Sequence, residues 1–317
     1  MNLISRTRAN NICANFQELK LLVVGDLMLD HWVWGDVSRI CPEAPVPVVS
    51  VRNASYTLGG AANVAANLTA LGAQVDIVGY VGADDAGRRL RLLLRRLGIG
   101  TDGVIVQDDT PTILKSRIIA NNQHVVRADI ENVRSPRRHV FQQIADYIRD
   151  HHREYKAVVF SDYNKGLLWN GQAAELTQLI ERVPIIVGPK PGNVKFFSGV
   201  DTITLNASEA TQTTGFATDT EDSLQHAGDS LLEQTHCENA IITLSARGMA
   251  LFRPGQTRAQ VPALAAQVYD VSGAGDTVLS VVALCRACGV EAHEAISLAS
   301  HAAAIVVRKV GTATVSR

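Results

Sequence analysis

Short apolar runs alternate with helical patterns along most of the chain. Leu21–Val24 is a continuous apolar run closed by Gly25-Asp26, as expected for a strand buried on both faces. Ala61–Leu71, rich in Ala, Leu and Asn, predicts a helix ending at Gly72. Val75–Val81 predicts the next strand, and Ala86–Leu97 a helix stopped by Gly98. Ala157–Phe160, Ile185–Val187, Thr202–Leu205 and Ala240–Leu244 are further strand candidates, with helical segments around 136–150, 171–182 and 221–235 between or just after them. This is the pattern of an α/β fold: a doubly wound, mostly parallel sheet with helices on both faces.

Two stretches break the alternation. Pro45–Val51 and Ile113–Ile130 read as antiparallel ribbon, and within the second, Ile113–Ala120 and His124–Ile130 flank a hairpin loop at Asn121-Asn122-Gln123. Strands inserted this early would form a small sheet beside the main one. Such a sheet must be covered, so it either closes over a ligand or pairs with another subunit.

Composition narrows the function classes. The chain has 317 residues, enough for two domains or one large α/β domain. No Ser/Gly-rich tract marks a linker, so one domain is expected. Thirty Lys+Arg against 31 Asp+Glu leave a formal net charge of −1, which argues against a dedicated binder of nucleic acid or of an anionic membrane. Arg88, Arg89, Arg91, Arg95 and Arg96 share one predicted helix with five leucines and read as its solvated face. Five cysteines, an odd number, suggest a reducing compartment, and Cys285-Arg-Ala-Cys288 lies in a helical stretch with no second Cys/His pair near it. Neither a signal peptide nor a stretch of roughly 18 apolar residues is present, so the expected location is the cytoplasm.

Candidate chemistry concentrates in two glycine-containing segments. Asp270-Val-Ser-Gly-Ala-Gly-Asp-Thr277 leads straight into an apolar helical run, Val278–Ala287. Gly273, Ala274 and Gly275 let an anion approach their N–H groups at a helix start, where the macrodipole favours negative charge. Asp276 in the first turn is then placed to take a proton from an attacking hydroxyl. By composition alone, a Gly-rich turn with an N-capping Asp accounts for the segment equally well. It is neither G-x-x-x-x-G-K-[ST] nor G-x-G-x-x-G, which leaves a nicotinamide oxidoreductase without its fingerprint. The second segment, Leu58-Gly59-Gly60-Ala61-Ala62-Asn63, is a small-residue turn opening a helix. Its Asn63 suits a sugar hydroxyl or a helix cap.

The two segments together resemble the N- and C-terminal signatures of the ribokinase (PfkB-type) sugar kinases, in the right order on a matching α/β pattern. Gly25–Asp30, Arg39–Val48 and Ser161-Asp162-Tyr163-Asn164-Lys165-Gly166 are further similar to bacterial heptose 7-phosphate kinases of lipopolysaccharide precursor synthesis. The resemblance implies one ribokinase-like domain over 1–317 with a β lid from about 31–57 and 112–130, and a homodimer built through that lid. It implies ATP-dependent phosphorylation of D-glycero-D-manno-heptose 7-phosphate at O1. Asp276 would be the base, with the amides of Gly273–Gly275 as anion hole, and Asp30, Gly59, Gly60 and Asn63 would hold sugar hydroxyls. Asn206-Ala-Ser-Glu209 matches an N-x-x-E motif that helps place Mg²⁺, through water; the same spacing is also a capping box. Thr243, Ser245 and Gly248 resemble the nucleotide-side loop, and Gly311 with Thr312 would flank the adenine. A K⁺ dependence is left open.

One departure stands out: Gly188-Pro189-Lys190 occupies the place where Asp-Pro-Lys is expected. A phosphorylated sugar also needs cations, for which Lys115, Arg117, Arg127, Lys165 and Lys190 are candidates. Alternatives are a kinase of the same family acting on another sugar, sugar phosphate or nucleoside, and a non-catalytic sugar or nucleotide sensor. Related chains carry a nucleotidyltransferase domain after the kinase. The stop soon after Asp276 leads us to expect that a separate protein attaches the nucleotide.

Overall fold

A computed structural model describes residues 4–121, 123–169, 171–265, 268–308 and 313–316. Helix α1 (Arg6–Ala14) is capped by Ser5, whose hydroxyl accepts from the Arg8 amide, and leads to β1 (Lys20–Gly25). After the single residue Asp26 the chain enters a long excursion, out along β2 (Leu27–Ile40) and back along β3 (Pro47–Gly60). Regular alternation resumes with α2 (Ala61–Ala70), β4 (Gln74–Gly82), α3 (Asp85–Arg96) and β5 (Val104–Gln107). A second excursion, β6 (Ile113–Ala120) and β7 (Gln123–Ile130), precedes α4 (Arg138–His151), β8 (Ala157–Ser161), α5 (Gln172–Gln178) and β9 (Ile185–Gly188). The rest comprises β10 (Thr202–Asn206), α6 (Ala207–Thr214), α7 (Glu221–Thr235), β11 (Asn239–Thr243), β12 (Met249–Phe252), β13 (Ala259–Val261), α8 (Ala274–Ala287) and α9 (Ala292–Val306).

Nine strands form the main sheet in the order β13-β12-β11-β10-β9-β8-β1-β4-β5. Its pairings are parallel from β5 to β11 and antiparallel at β12 and β13. Alternation along β1 shows how both faces are filled. Leu21 and Val23 belong to a core with α2, α3, α8 and α9, whereas Leu22 and Val24 belong to one with α4, α5, α6 and α7. Apolar side chains on both faces explain why Leu21–Val24 of β1, Ala157–Phe160 of β8 and Ala240–Ile242 of β11 read as unbroken apolar runs. Among the described residues no helix is long and apolar enough to cross a membrane. Leu90 and Leu94 bury one face of α3 while most of its arginines stay in solvent, with Arg89 stacked over Tyr56 at 4.8 Å.

The excursions form a separate four-stranded sheet in the order β3-β2-β6-β7. Both ribbons are antiparallel as expected, β2 with β3 and β6 with β7. The two are joined by a parallel pairing of β2 with β6, with Asp30 opposite Lys115 and Trp32 opposite Arg117. The first ribbon is much longer than Pro45–Val51, running from Leu27 to Gly60 around the bend at 41–46. Asp30 therefore sits inside a strand, and Gly59 and Gly60 are the last residues of β3. Of the expected hairpin loop, Asn121 is left-handed at φ +50° and Gln123 already belongs to β7; Asn122 lies outside the described residues.

Candidate active site

Gly273 caps α8 in the left-handed region, at φ +80°, where a side chain would be strained. Here the Ser272 amide donates to the Asp270 carboxylate at 2.8 Å and the Ala274 amide to Val271 O at 3.2 Å. A Cβ built on Gly275 meets nothing within 4 Å, so this helix start is open. Asp276 follows in the first turn. Its Oδ2 accepts from Asn63 Nδ2 at 2.6 Å and its Oδ1 from the Tyr163 hydroxyl at 2.6 Å. Burial pushes this carboxyl above the usual carboxylate range. Both hydrogen bonds and the Lys190 ammonium pull it back, because each favours the ionised form.

Asn63 reaches Asp276 because α2 and α8 pack along a polar seam. Thr277 Oγ1 donates to Asn67 Oδ1 at 3.2 Å, Asn67 Nδ2 to Asn63 O at 2.9 Å, and Ser280 Oγ to Val64 O at 3.3 Å. Gly60, at φ +58°, starts α2 where a Cβ would lie 2.5 Å from Asp26 O, so only glycine fits. Beside it Asp30, 3% exposed, pairs with Arg117, whose guanidinium lies 4.8 Å above the Trp32 ring. A Cβ on Gly59 would come 2.8 Å from Asp30 Oδ2, which keeps that position bare as well.

The loop after β8 is held by two buried carboxylates with no assigned role in the sequence. Asp26 accepts the amides of Tyr163 and Lys165 at 3.0 Å and of Leu167 at 3.3 Å. Asp162 accepts the Asn164 amide at 2.7 Å, the Lys190 amide at 2.8 Å and Asn193 Nδ2 at 2.9 Å. Burial, with the like charge of Asp162, pushes Asp26 up to about 6; burial raises Asp162 too. Tyr163 projects from this loop to Asp276. Sequence reasoning noted Asp26, Asp162 and Tyr163 only as parts of a family-like pattern.

An open cleft runs from Tyr163 and Asp276 past Lys190, Asn206 and Glu209 to Thr243, with Gly273 and Gly275 on its wall. Asn206 and Glu209 form a full capping box: the Glu209 amide donates to Asn206 Oδ1 at 2.9 Å and the Asn206 amide to Glu209 Oε2 at 3.0 Å. The other oxygen, Oε1, pairs with Lys190 Nζ at 2.5 Å, and that ammonium also lies 5.3 Å from the Tyr163 ring. Gly188 ends β9 beside them, and a Cβ there would press on Leu279 at 3.0 Å. Among the described nucleotide-side candidates, Thr243 lines the cleft and Ser245 and Gly248 do not. Ser245 and Gly248 shape the β11–β12 turn, where the Gly248 amide donates to Ser245 O at 3.1 Å. Gly311 and Thr312 lie outside the described residues.

The five candidate cations divide into groups. Lys115 meets Asp129 at 3.1 Å and Glu131 at 3.5 Å, Lys165 meets Glu131 at 2.8 Å, and Arg127 meets Asp129 at 3.0 Å. These three converge on two carboxylates beside the small sheet, Arg117 is engaged by Asp30, and Lys190 stands apart in the cleft. A half-buried carboxylate at an open helix start can accept a proton while the amide dipoles face an anion.

Comparison with known proteins agrees with this arrangement. Residues 18–317 match the pfkB family of carbohydrate kinases. The chain is 43% identical over 304 residues to the bifunctional protein HldE of Desulfatibacillum aliphaticivorans, covering 95% of this chain and 62% of that protein. It is 42% identical over 296 residues to HldE of Wolinella succinogenes, covering 93% and 62%. The chain thus spans about 62% of the length of these curated relatives. Similar folds include Arabidopsis thaliana ribokinase complexed with ribose and ATP (TM-score 0.73, 21% identity, 92% and 94% of the chains). Escherichia coli phosphofructokinase-2 in complex with potassium is another (0.77, 16%, 94% and 96%).

Proposed function

We propose, from the premise that the chain belongs to the pfkB family of carbohydrate kinases and is a sugar phosphotransferase, that it transfers the γ-phosphoryl group of ATP to O1 of D-glycero-D-manno-heptose 7-phosphate. The product is the 1,7-bisphosphate. The whole chain 1–317 acts as one kinase module, with the small sheet, about 31–57 and 112–130, as lid over the sugar. The observation that carries the reading is Asp276 at the open start of α8, held from α2 by Asn63 and bordering the cleft. The likeness of Ser161–Gly166 to heptose 7-phosphate kinases supports the acceptor, as do Lys115, Lys165 and Arg127 at its end of the site.

In this mechanism Asp30, Gly59, Gly60 and Asn63 hold the sugar, and Asp276 takes the proton of the O1 hydroxyl as that oxygen attacks phosphorus. The bond to the β-phosphate oxygen breaks, and ADP leaves. The helix-start amides of Gly273 and Gly275, with Lys190, neutralise charge on the transferring group, which is most of what phosphoryl transfer asks of a protein; the Ala274 amide, expected to join them, donates to Val271 O instead. Asn206 and Glu209 fit a hydrated Mg²⁺: both Glu209 oxygens are engaged, so water-mediated contact suits them better than direct ligation. Such an ion, when bound, supplies further charge neutralisation. Thr243 faces the nucleotide side. Two protomers pair through the exposed side of the lid.

Release of ADP is to be measured with ATP and a panel of acceptors: the heptose with and without its 7-phosphate, other sugars, other sugar phosphates and a nucleoside. The phosphorylated heptose is the expected best acceptor. Strong preference for an unphosphorylated acceptor overturns the assignment.

A further inference from the structure

We infer that Tyr163 is a positioning residue that sets the basicity of Asp276. The inference rests on the reading of Asp276 as the base, and it concerns a side chain that this reading leaves without a task. The geometry is specific. The Tyr163 hydroxyl donates to Asp276 Oδ1 at 2.6 Å while Asn63 holds Oδ2 at 2.6 Å, so each carboxylate oxygen has one donor fixed by the protein. A carboxylate oxygen has a second lone-pair direction, which leaves room for an acceptor hydroxyl.

Tyr163 is anchored independently of any substrate. Its own amide is bound by the buried Asp26 carboxylate at 3.0 Å, and the same carboxylate fixes Lys165 and Leu167. On the cleft side its ring lies 5.3 Å from the Lys190 ammonium, which is paired with Glu209. The phenol is thus locked at both ends. Burial and the Asp276 charge keep it protonated, so it donates at every working pH.

The consequence follows from two opposed effects on Asp276. Burial favours the neutral acid, which cannot act as base. A hydrogen bond donated to the carboxylate favours the ionised form and works against that rise. Removing the phenolic hydroxyl removes one of the two donors, so the Asp276 pKa should rise by roughly one unit, the size expected for one hydrogen bond to a charged group. The acid limb of the rate profile then moves to higher pH, and turnover recovers as pH is raised.

The test compares the pH dependence of kcat for wild type, Tyr163→Phe and Asp276→Asn, with ATP and the best acceptor of the panel. Thermal unfolding confirms that each is folded, and Tyr163→Leu serves as a second variant should the Phe protein be unstable. An acid limb shifted upward in Tyr163→Phe, with most activity regained on its alkaline side, is the expected result. A uniform loss of kcat at all pH values, or an unshifted limb, overturns the inference while leaving Asp276 as base. Turnover near wild type in Asp276→Asn instead overturns the base assignment itself.

Discussion

Asn63 and Asp276 meet at 2.6 Å although 213 residues separate them along the chain. The contact joins the helix that follows β3 to the helix that follows the Gly273–Gly275 turn. The segment read as sugar-binding and the segment read as catalytic therefore share one side-chain contact. An amide cannot be titrated in this range, so Asn63 keeps Oδ2 oriented at any working pH.

Loss of the Asp276 charge should separate activity from stability. Asp276→Asn removes the base and should lower kcat by roughly 10²- to 10⁴-fold. Burial raises this group's pKa, so the ionised carboxyl is costly in the fold and its removal relieves that cost. The melting temperature of the variant should equal or exceed that of wild type. Steady-state kinetics and thermal unfolding at pH 7 check both halves.

Arg117 and Lys115 neighbour each other on β6 yet should behave differently when truncated. Asp30 is 5% exposed at its side chain and has Arg117 as partner, so Arg117→Met strands a buried charge and should cost about 3–5 kcal/mol. Lys115 is paired with Asp129 and Glu131, which are 21% and 26% exposed and can turn to water. Lys115→Met should cost under about 1 kcal/mol. Urea denaturation of the two variants gives the comparison directly.

Acceptor recognition offers a separate check on the same strand. Lys115 and Lys165 both approach Glu131, within 3.5 and 2.8 Å. If they bind the terminal phosphate, Lys115→Met or Lys165→Met should raise KM for the phosphorylated acceptor by about tenfold or more, the worth of one charge-assisted hydrogen bond. KM for ATP should stay unchanged. Equal effects on both substrates would remove these lysines from the phosphate site.

Where a strand is buried on both faces, its sequence announces it. Leu21–Val24, Ala157–Phe160 and Ala240–Ile242 are apolar throughout and lie where the alternation places them. β2 gives no such signal, because one face meets the site and the other meets α3. Its residues mix Asp30, His31, Trp32 and Asp36, and it begins after one intervening residue, so no turn chemistry separates it from β1. Its parallel pairing with β6 crosses about eighty residues, a register that no local pattern encodes. The site divides in the same way. Asp276 and Asn63 stand in glycine-flanked helix starts that can be recognised locally. The grip of Asp26 on the Tyr163 loop, and of Asp162 on the Lys190 amide, consists of bonds to distant backbone amides, and a backbone amide carries no residue identity.

Asp26 should leave a mark on the pH dependence of stability. Its carboxyl is raised from 3.8 to about 6 in the fold. Between these values the folded chain holds a proton that the unfolded chain has released. The contribution is full below about pH 4 and is lost as pH climbs through 6, with an amplitude on the order of 3 kcal/mol. In Asp26→Asn this component should vanish, leaving a flatter profile between pH 4 and 6. Chemical denaturation across that range, wild type against variant, measures it. An unchanged slope would show that Asp26 titrates normally.

The exposed side of the small sheet makes a prediction about assembly. Val126 and Ile130 on β7 are 50% and 53% exposed, and they alternate with Arg127 and Asp129, which turn towards Lys115 and the site. Ile40 at 62% and Val51 at 58% add apolar surface on β2 and β3. β7 is also an edge strand, with one row of backbone donors and acceptors unpaired within the described residues. A flat edge with exposed valine and isoleucine is an association surface, which natural sheets usually blunt with charge when they stay monomeric. If two lids pair here, light scattering at working concentration should give a dimer mass for wild type. Val126→Asp should shift that mass to the monomer, because it places charges into the apolar contact. Arg138→Asp at the start of α4, outside the small sheet, should leave it unchanged. A monomeric wild type would remove the lid-mediated dimer.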